Sequence, residues 1–163
     1  MQFRVSKSEI KQAHTPHNLL IIGLFSLNLL MTPAVLALKI GMTGLLIPLL
    51  STGALIVYMR LRSQKTTLWF VDAHWRLAVK NSRGLLLGYT VTAGLILIAW
   101  LVSLTAHEAS MKHILWTALT RIALLPTLAG VMVTAIMEAS AISLATKQEV
   151  PDDLITRFPP SAQ

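Results

Sequence analysis

Cysteine is absent from the chain. Disulfide staples, thiolate metal sites and iron–sulfur clusters are thereby excluded. Charge is scarce as well. Asp, Glu, Lys and Arg together make up 13% of the 163 residues, about half the share carried by a soluble globular domain. Acids are the scarcer sign, at 7 against 14 Lys and Arg. No glycine-rich phosphate loop occurs, and no Ser-His-Asp order stands out. What the chain has instead is apolar: 54% hydrophobic residues and a mean hydropathy of +0.64. That is more than one water-covered core of this size would hold, so lipid is the expected solvent.

A helix needs about 20 mostly apolar residues to cross the hydrocarbon core. Four runs qualify. Residues 18–38, 41–59 and 84–105 are free of charge, and 114–136 carries only Arg121, with the apolar pattern continuing to 145 past Glu138. The expected fold is all-α, an integral membrane four-helix bundle forming a single membrane domain over 1–163. Residues 1–17 form a basic leader, and 106–113 an outer loop. The stretch 147–163 is expected as a cytoplasmic tail, irregular from Val150 onward and carrying Phe158-Pro159-Pro160. The first run ends in Val35-Leu36-Ala37, which a signal peptidase would accept. Its apolar core exceeds the usual length of about 7–15 residues, so it is expected to remain as a span.

Basic residues resist translocation and mark the cytoplasmic side. The 60–83 loop holds Arg60, Arg62, Lys65, Arg76, Lys80 and Arg83 against the single acid Asp72, and the leader adds Arg4, Lys7 and Lys11. The opposite side has Lys39 and Lys112. Both termini are therefore expected in the cytoplasm of a bacterial cell, with the chain in its inner membrane. The surplus of +7 sits at the ends of apolar runs, which points to anionic headgroups as partners rather than nucleic acid.

Between the second and third runs, 66–82 reads as a short amphipathic interfacial helix. Leu68, Val71, Trp75, Ala78 and Val79 form one stripe, and Asp72, Arg76, Lys80 and Arg83 the other. Asp72 and Arg76 stand in the favourable i,i+4 order. Trp69, Trp75, Arg76 and Lys80 are the candidate residues for interfacial anchoring or partner docking. Within the bilayer, Gly84 and Gly88 form a GxxxG pair continued by Thr92. Ala123, Thr127, Gly130, Thr134, Glu138 and Ala141 make a matching small-residue stripe. The two are expected to pack together. Pro33, Pro48 and Pro126 should kink or end their helices.

Charged or polar groups at membrane depth are the usual pointers to function. Arg121, Glu138 and Asn28 are the candidates. Arg121 and Glu138 lie about 25 Å apart along a straight helix and cannot pair. Glu138 reads as an interfacial carboxylate near the helix end, or as an ion-coupled site, and Arg121 as a side chain snorkelling outward. Asn28 should hydrogen-bond across the bundle. No histidine falls mid-span, so no bis-histidine haem pair at matching depth is expected, nor any other cofactor. His107, Glu108 and His113 have no strong metal-ligand spacing.

Known four-helix membrane classes differ from this chain. It lacks the cysteine pairs of disulfide-generating oxidoreductases, the helix-1 acid of small multidrug exporters and the paired aspartates of lipoprotein signal peptidases. The expected function is a non-enzymatic accessory or scaffold subunit of a membrane complex, with a membrane-protein partner or a second copy of the chain. The alternative is a small oligomeric transporter or channel using Arg121 and Glu138.

Overall fold

The structure, a computed structural model, describes residues 3–38, 44, 46–65 and 68–160. It is 85% helical, with no strand among the described residues. The helices are α1 (Lys7–Gly23), a π-helical segment (Leu24–Met31), α2 (Thr32–Ala37), α3 (Leu46–Arg62), α4 (Trp69–Leu104), α5 (Ala109–Ala123), α6 (Leu125–Thr146) and α7 (Asp152–Arg157). Three stretches are long and apolar enough to cross a membrane: Lys7–Val35, Trp69–Leu104 and Ala109–Thr146. The second expected run, 41–59, lies partly outside the described residues, as do Lys39 and Thr66; its described part is α3, of 17 residues.

The chain divides into two compact units, 1–82 with 135–163, and 83–134. In the first unit α1 starts on a capping signal: the Ser6 side chain accepts from the Glu9 amide at 3.3 Å, which satisfies one of the free N–H groups of the first turn. Further along, the chain widens into π turns just before Pro33. A proline offers no N–H to the ladder and its ring crowds the carbonyl four residues back, so the α pattern is interrupted there. Thr32 Oγ1 donates to the Leu27 carbonyl at 3.1 Å across this widened turn. At Gly23 the backbone runs so close to α3 that a Cβ would strike the Leu55 side chain.

The amphipathic segment expected as a separate helix is instead the beginning of α4, which runs unbroken for 36 residues. Nothing in 69–104 stops a helix: there is no proline, and Gly84, Gly88 and Gly94 each cost only about 1 kcal/mol in a helix interior. The helix changes its surroundings at residue 83 rather than ending there. From Phe70 to Ser82 every residue is buried or half-buried, whereas Arg83, Leu86, Leu87, Leu97, Ile98 and Trp100 are exposed. The first part therefore packs all round inside protein. The second, of about 33 Å at 1.5 Å per residue, matches the hydrocarbon thickness.

The described part of the tail, up to residue 160, is also ordered, contrary to the irregular segment expected. After α6 the backbone turns at Gln148, whose φ is +60°. The Glu149 amide donates back to the Leu144 carbonyl at 2.9 Å and the Gln148 amide to Ala145 at 3.2 Å. That pair of bonds closes a helix C-terminus in the Schellman manner. The turn sends Val150 and Leu154 into an apolar core with Ala13, Phe70, Ala73, Leu77, Ala141 and Ala145.

In the second unit Thr92 Oγ1 accepts both from the Thr127 hydroxyl, at 2.8 Å, and from the Thr127 amide, at 3.2 Å. α5 ends at Ala123 and α6 begins at Leu125, a break that falls immediately before Pro126, where the sequence placed it.

Candidate functional site

Four polar side chains meet in the first unit, remote in sequence and closed off from solvent. His17 on α1 and Glu138 on α6 are fully buried, and His74 and Asn81 on α4 almost so. His17 Nδ1 lies 2.7 Å from Glu138 Oε2. Asn81 Nδ2 donates to Glu138 Oε1, also at 2.7 Å. His17 Nε2 lies 3.0 Å from His74 Nδ1, and the two rings meet edge to face at 90°.

Helical spacing puts each group there. Along α1 and into the π segment the buried positions Ala13, His17, Leu20 and Leu24 recur every three or four residues, so His17 occupies the apolar stripe rather than the charged face. His74 and Asn81 are seven apart, two turns along one face of α4. Glu138 shares its stripe with Ala141 and Ala145, whose small side chains let α1 and α4 come near. Burying a carboxylate is costly unless it is hydrogen-bonded and paired. Each oxygen of Glu138 has a hydrogen-bond partner, His17 on one and Asn81 on the other. One nitrogen stays out of the arrangement: His74 Nε2 is buried without a hydrogen-bond partner. The Glu149 backbone also lies beside the His74 ring, and Phe70 packs against the ring at 4.8 Å.

Glu138, expected as an interfacial carboxylate near the helix end, is buried against His17 and Asn81. One expectation is corrected. A histidine pair on facing helices does exist, in His17 and His74. Their nitrogens are bonded to each other, which leaves no space for an iron between them. Among the described residues, no group of three or more His, Asp or Glu could hold a metal ion.

The other candidates lie elsewhere. Arg121 is exposed in the last turn of α5. Asn28 is half-buried in the π segment, its Nδ2 3.5 Å from Thr52 Oγ1, and Thr52 donates to the Pro48 carbonyl at 2.8 Å. Gly84, Gly88 and Gly130 lie together in the second unit. A Cβ on Gly88 would come within 2.7 Å of the Pro126 carbonyl oxygen, and one on Gly130 within 3.1 Å of the Gly84 carbonyl oxygen.

The expected docking residues are engaged by the chain itself. Trp69 Nε1 donates to the Phe158 carbonyl at 2.9 Å, the Arg76 guanidinium stacks 4.0 Å over the Phe158 ring, and Lys80 pairs with Asp153. Trp75 is buried edge to face against Tyr58. The Lys80 hydrogen bond holds the Asp153 carboxyl below the ordinary carboxylate range.

The fold and its apolar helices define an all-helical protein with membrane-spanning capacity. No family model matches the chain, and neither a curated protein nor a solved structure matches it.

Proposed function

We propose that this is a multi-pass protein of the bacterial inner membrane, a four-helix bundle with both termini in the cytoplasm, and that it serves as a non-enzymatic accessory or scaffold subunit of a larger membrane assembly. The observation that carries the reading is how Glu138 and His17 are used. Both oxygens of Glu138 and both ring nitrogens of His17 are engaged with other side chains of the same unit. Groups so committed cross-link helices. Such a network fixes a single arrangement of α1, α4 and α6, the property a scaffold needs.

The orientation rests on charge. Arg4, Lys7, Lys11, Arg60, Arg62, Lys65 and Arg83 are all exposed, as groups facing anionic headgroups would be. A transporter or channel built on Arg121 and Glu138 is the weaker reading, because Arg121 is exposed on α5 whereas Glu138 is buried on α6.

The test is capture of the full chain from native membranes in mild detergent. A second membrane protein in a fixed ratio is the expected result. Recovery of this chain alone, combined with ion flux in proteoliposomes, would overturn the scaffold reading in favour of transport.

A further inference from the structure

We propose that His17, His74 and Glu138 form a proton-binding relay, which takes up one proton at His74 Nε2, on the side covered by the C-terminal tail, and delivers it to Glu138. This goes beyond the scaffold reading and does not depend on it.

The inference starts from the order of the atoms. Glu138 Oε2, His17 Nδ1, His17 Nε2 and His74 Nδ1 follow one another at 2.7 Å and 3.0 Å across the two bonds between residues. An imidazole accepts a proton on one nitrogen and gives one up from the other, so two in series pass a proton without moving a heavy atom. The chain has one closed end and one open end. Glu138 is closed by Asn81. His74 Nε2 is open, being buried and unpartnered.

With Glu138 ionised and both rings neutral, His17 Nδ1–H donates to Glu138 and His74 Nδ1–H donates to His17 Nε2. His74 Nε2 then carries a bare lone pair. A proton arriving there forms an Nε2–H bond on His74. The Nδ1 proton of His74 passes to His17 Nε2, and the Nδ1 proton of His17 passes to Glu138. Three bonds to hydrogen form and two break, one proton has entered, and the buried charge has gone from −1 to zero. The two hydrogen bonds along the relay reverse direction, the Asn81 bond to Glu138 Oε1 keeps its own, and none is lost. Neutralisation is the driving term, since an uncompensated charge in a dry interior is unfavourable.

The ionisable and polar groups around the relay are few. α1 presents His17 and, about one turn earlier, His14, which bonds Thr146 Oγ1 at 3.1 Å and lies near enough to His74 to act on it electrostatically. α4 presents His74 and Asn81, and α6 presents Glu138. The tail contributes the backbone of Glu149 beside His74. Access therefore runs under the tail, which Lys80, Arg76 and Trp69 hold down.

The full chain, labelled with 15N in its histidine rings and placed in nanodiscs of phosphatidylethanolamine and phosphatidylglycerol, tests this by nitrogen chemical shift and infrared spectroscopy over a pH series. Lowering the pH should switch His17 and His74 from the Nδ1–H to the Nε2–H tautomer at one shared midpoint, with a protonated-carboxyl band rising at the same pH. Glu138→Gln should hold both rings in a single tautomer throughout. Separate midpoints, a ring that becomes imidazolium instead of changing tautomer, or a switch that survives Glu138→Gln would each overturn the relay. Should Glu138→Gln fail to fold, the shared midpoint in the unmodified protein decides alone. Lys80→Gln, which loosens the tail, should raise exchange of the His74 ring proton with water several-fold, and an unchanged rate would overturn access beneath the tail.

Discussion

His17 and Glu138 stand 121 residues apart in the chain and 2.7 Å apart in space, both with no exposed side-chain surface. A contact of that kind sets the position of α1 against α6 more narrowly than apolar packing does, because a hydrogen bond fails within about half an ångström. Asn81 ties α4 to the same carboxylate. Three helices are thus registered on one side chain.

Truncating either partner should therefore be severe. Glu138→Ala leaves His17 and Asn81 with buried donors unmet, and His17→Ala leaves a buried carboxylate short of a donor. Each single change should cost about 3–5 kcal/mol, as the breaking of a buried pair does. Replacing both together should cost clearly less than the sum, since neither half is then stranded. Unfolding in mixed micelles at increasing fractions of denaturing detergent measures all three variants. Additive losses would show that the pair does not act as a unit.

The glycines of the second unit should respond in a fixed order. Gly88→Ala forces a methyl against the Pro126 carbonyl at 2.7 Å, a backbone atom that cannot swing aside. It should destabilise by about 1–3 kcal/mol, as overpacking does. Gly84→Ala meets only the Thr134 hydroxyl, at 3.4 Å, so the better helix propensity of alanine, up to about 1 kcal/mol, offsets any strain. Gly130→Ala, 3.1 Å from the Gly84 carbonyl, should fall between them. Thermal melts in one detergent rank the three, and an equal response at 84 and 88 would contradict the close approach at Gly88.

The pairing of Gly84, Gly88 and Thr92 with the Thr127 and Gly130 stripe was readable from spacing alone, because small residues every fourth position mark where helices come close. The break before Pro126 was readable for a similar local reason. The His17, His74 and Glu138 meeting was not. No local pattern joins positions 57 and 121 residues apart. The one available signal was that His17 falls on the stripe of Ala13, Leu20 and Leu24, where a solvated histidine does not belong. The leader read only as a basic segment because Lys7 and Lys11 dominate its composition, and that hid the buried face of Ala13 and His17. The tail was misread because Pro151, Pro159 and Pro160 suggest irregular chain, while Val150 and Leu154 are too few to show a periodicity.

The Lys80–Asp153 pair makes tail docking sensitive to acid. Asp153 ionises below its ordinary range because Lys80 donates to it in the folded state. A carboxylate of this kind stabilises the folded state at pH above its unfolded pKa, and the contribution is lost as pH falls through the lower, folded value. The pair is exposed, so the effect is small and screened by salt. Amide protection over 150–158, corrected for the intrinsic exchange rate at each pH, should therefore hold through mild acid and fall only below the ordinary carboxylate range, and Asp153→Asn should bring the lower protection to neutral pH. A tail equally protected at both pH values would show that Leu154 and Phe158 hold it without the ion pair.

Gln148 provides the opposite kind of test, a stabilising one. It is the single described non-glycine residue with positive φ, and it sits at the position after α6 where glycine is favoured because a Cβ crowds the carbonyl oxygen. Left-handed backbone costs a side-chain-bearing residue about 1–2 kcal/mol. Gln148→Gly removes that strain while keeping the two closing bonds to Leu144 and Ala145, which use backbone atoms only. Part of the gain is offset by the greater freedom of glycine in the unfolded chain, so the net expectation is a gain of up to about 1 kcal/mol. The turn positions the whole tail, hence protection from exchange should rise across 150–158 as well as at the turn. Gln148→Val should do the reverse, because a β-branched residue tolerates this backbone least. A neutral response to both substitutions would mean that the turn is not held in the left-handed conformation in the membrane-embedded protein.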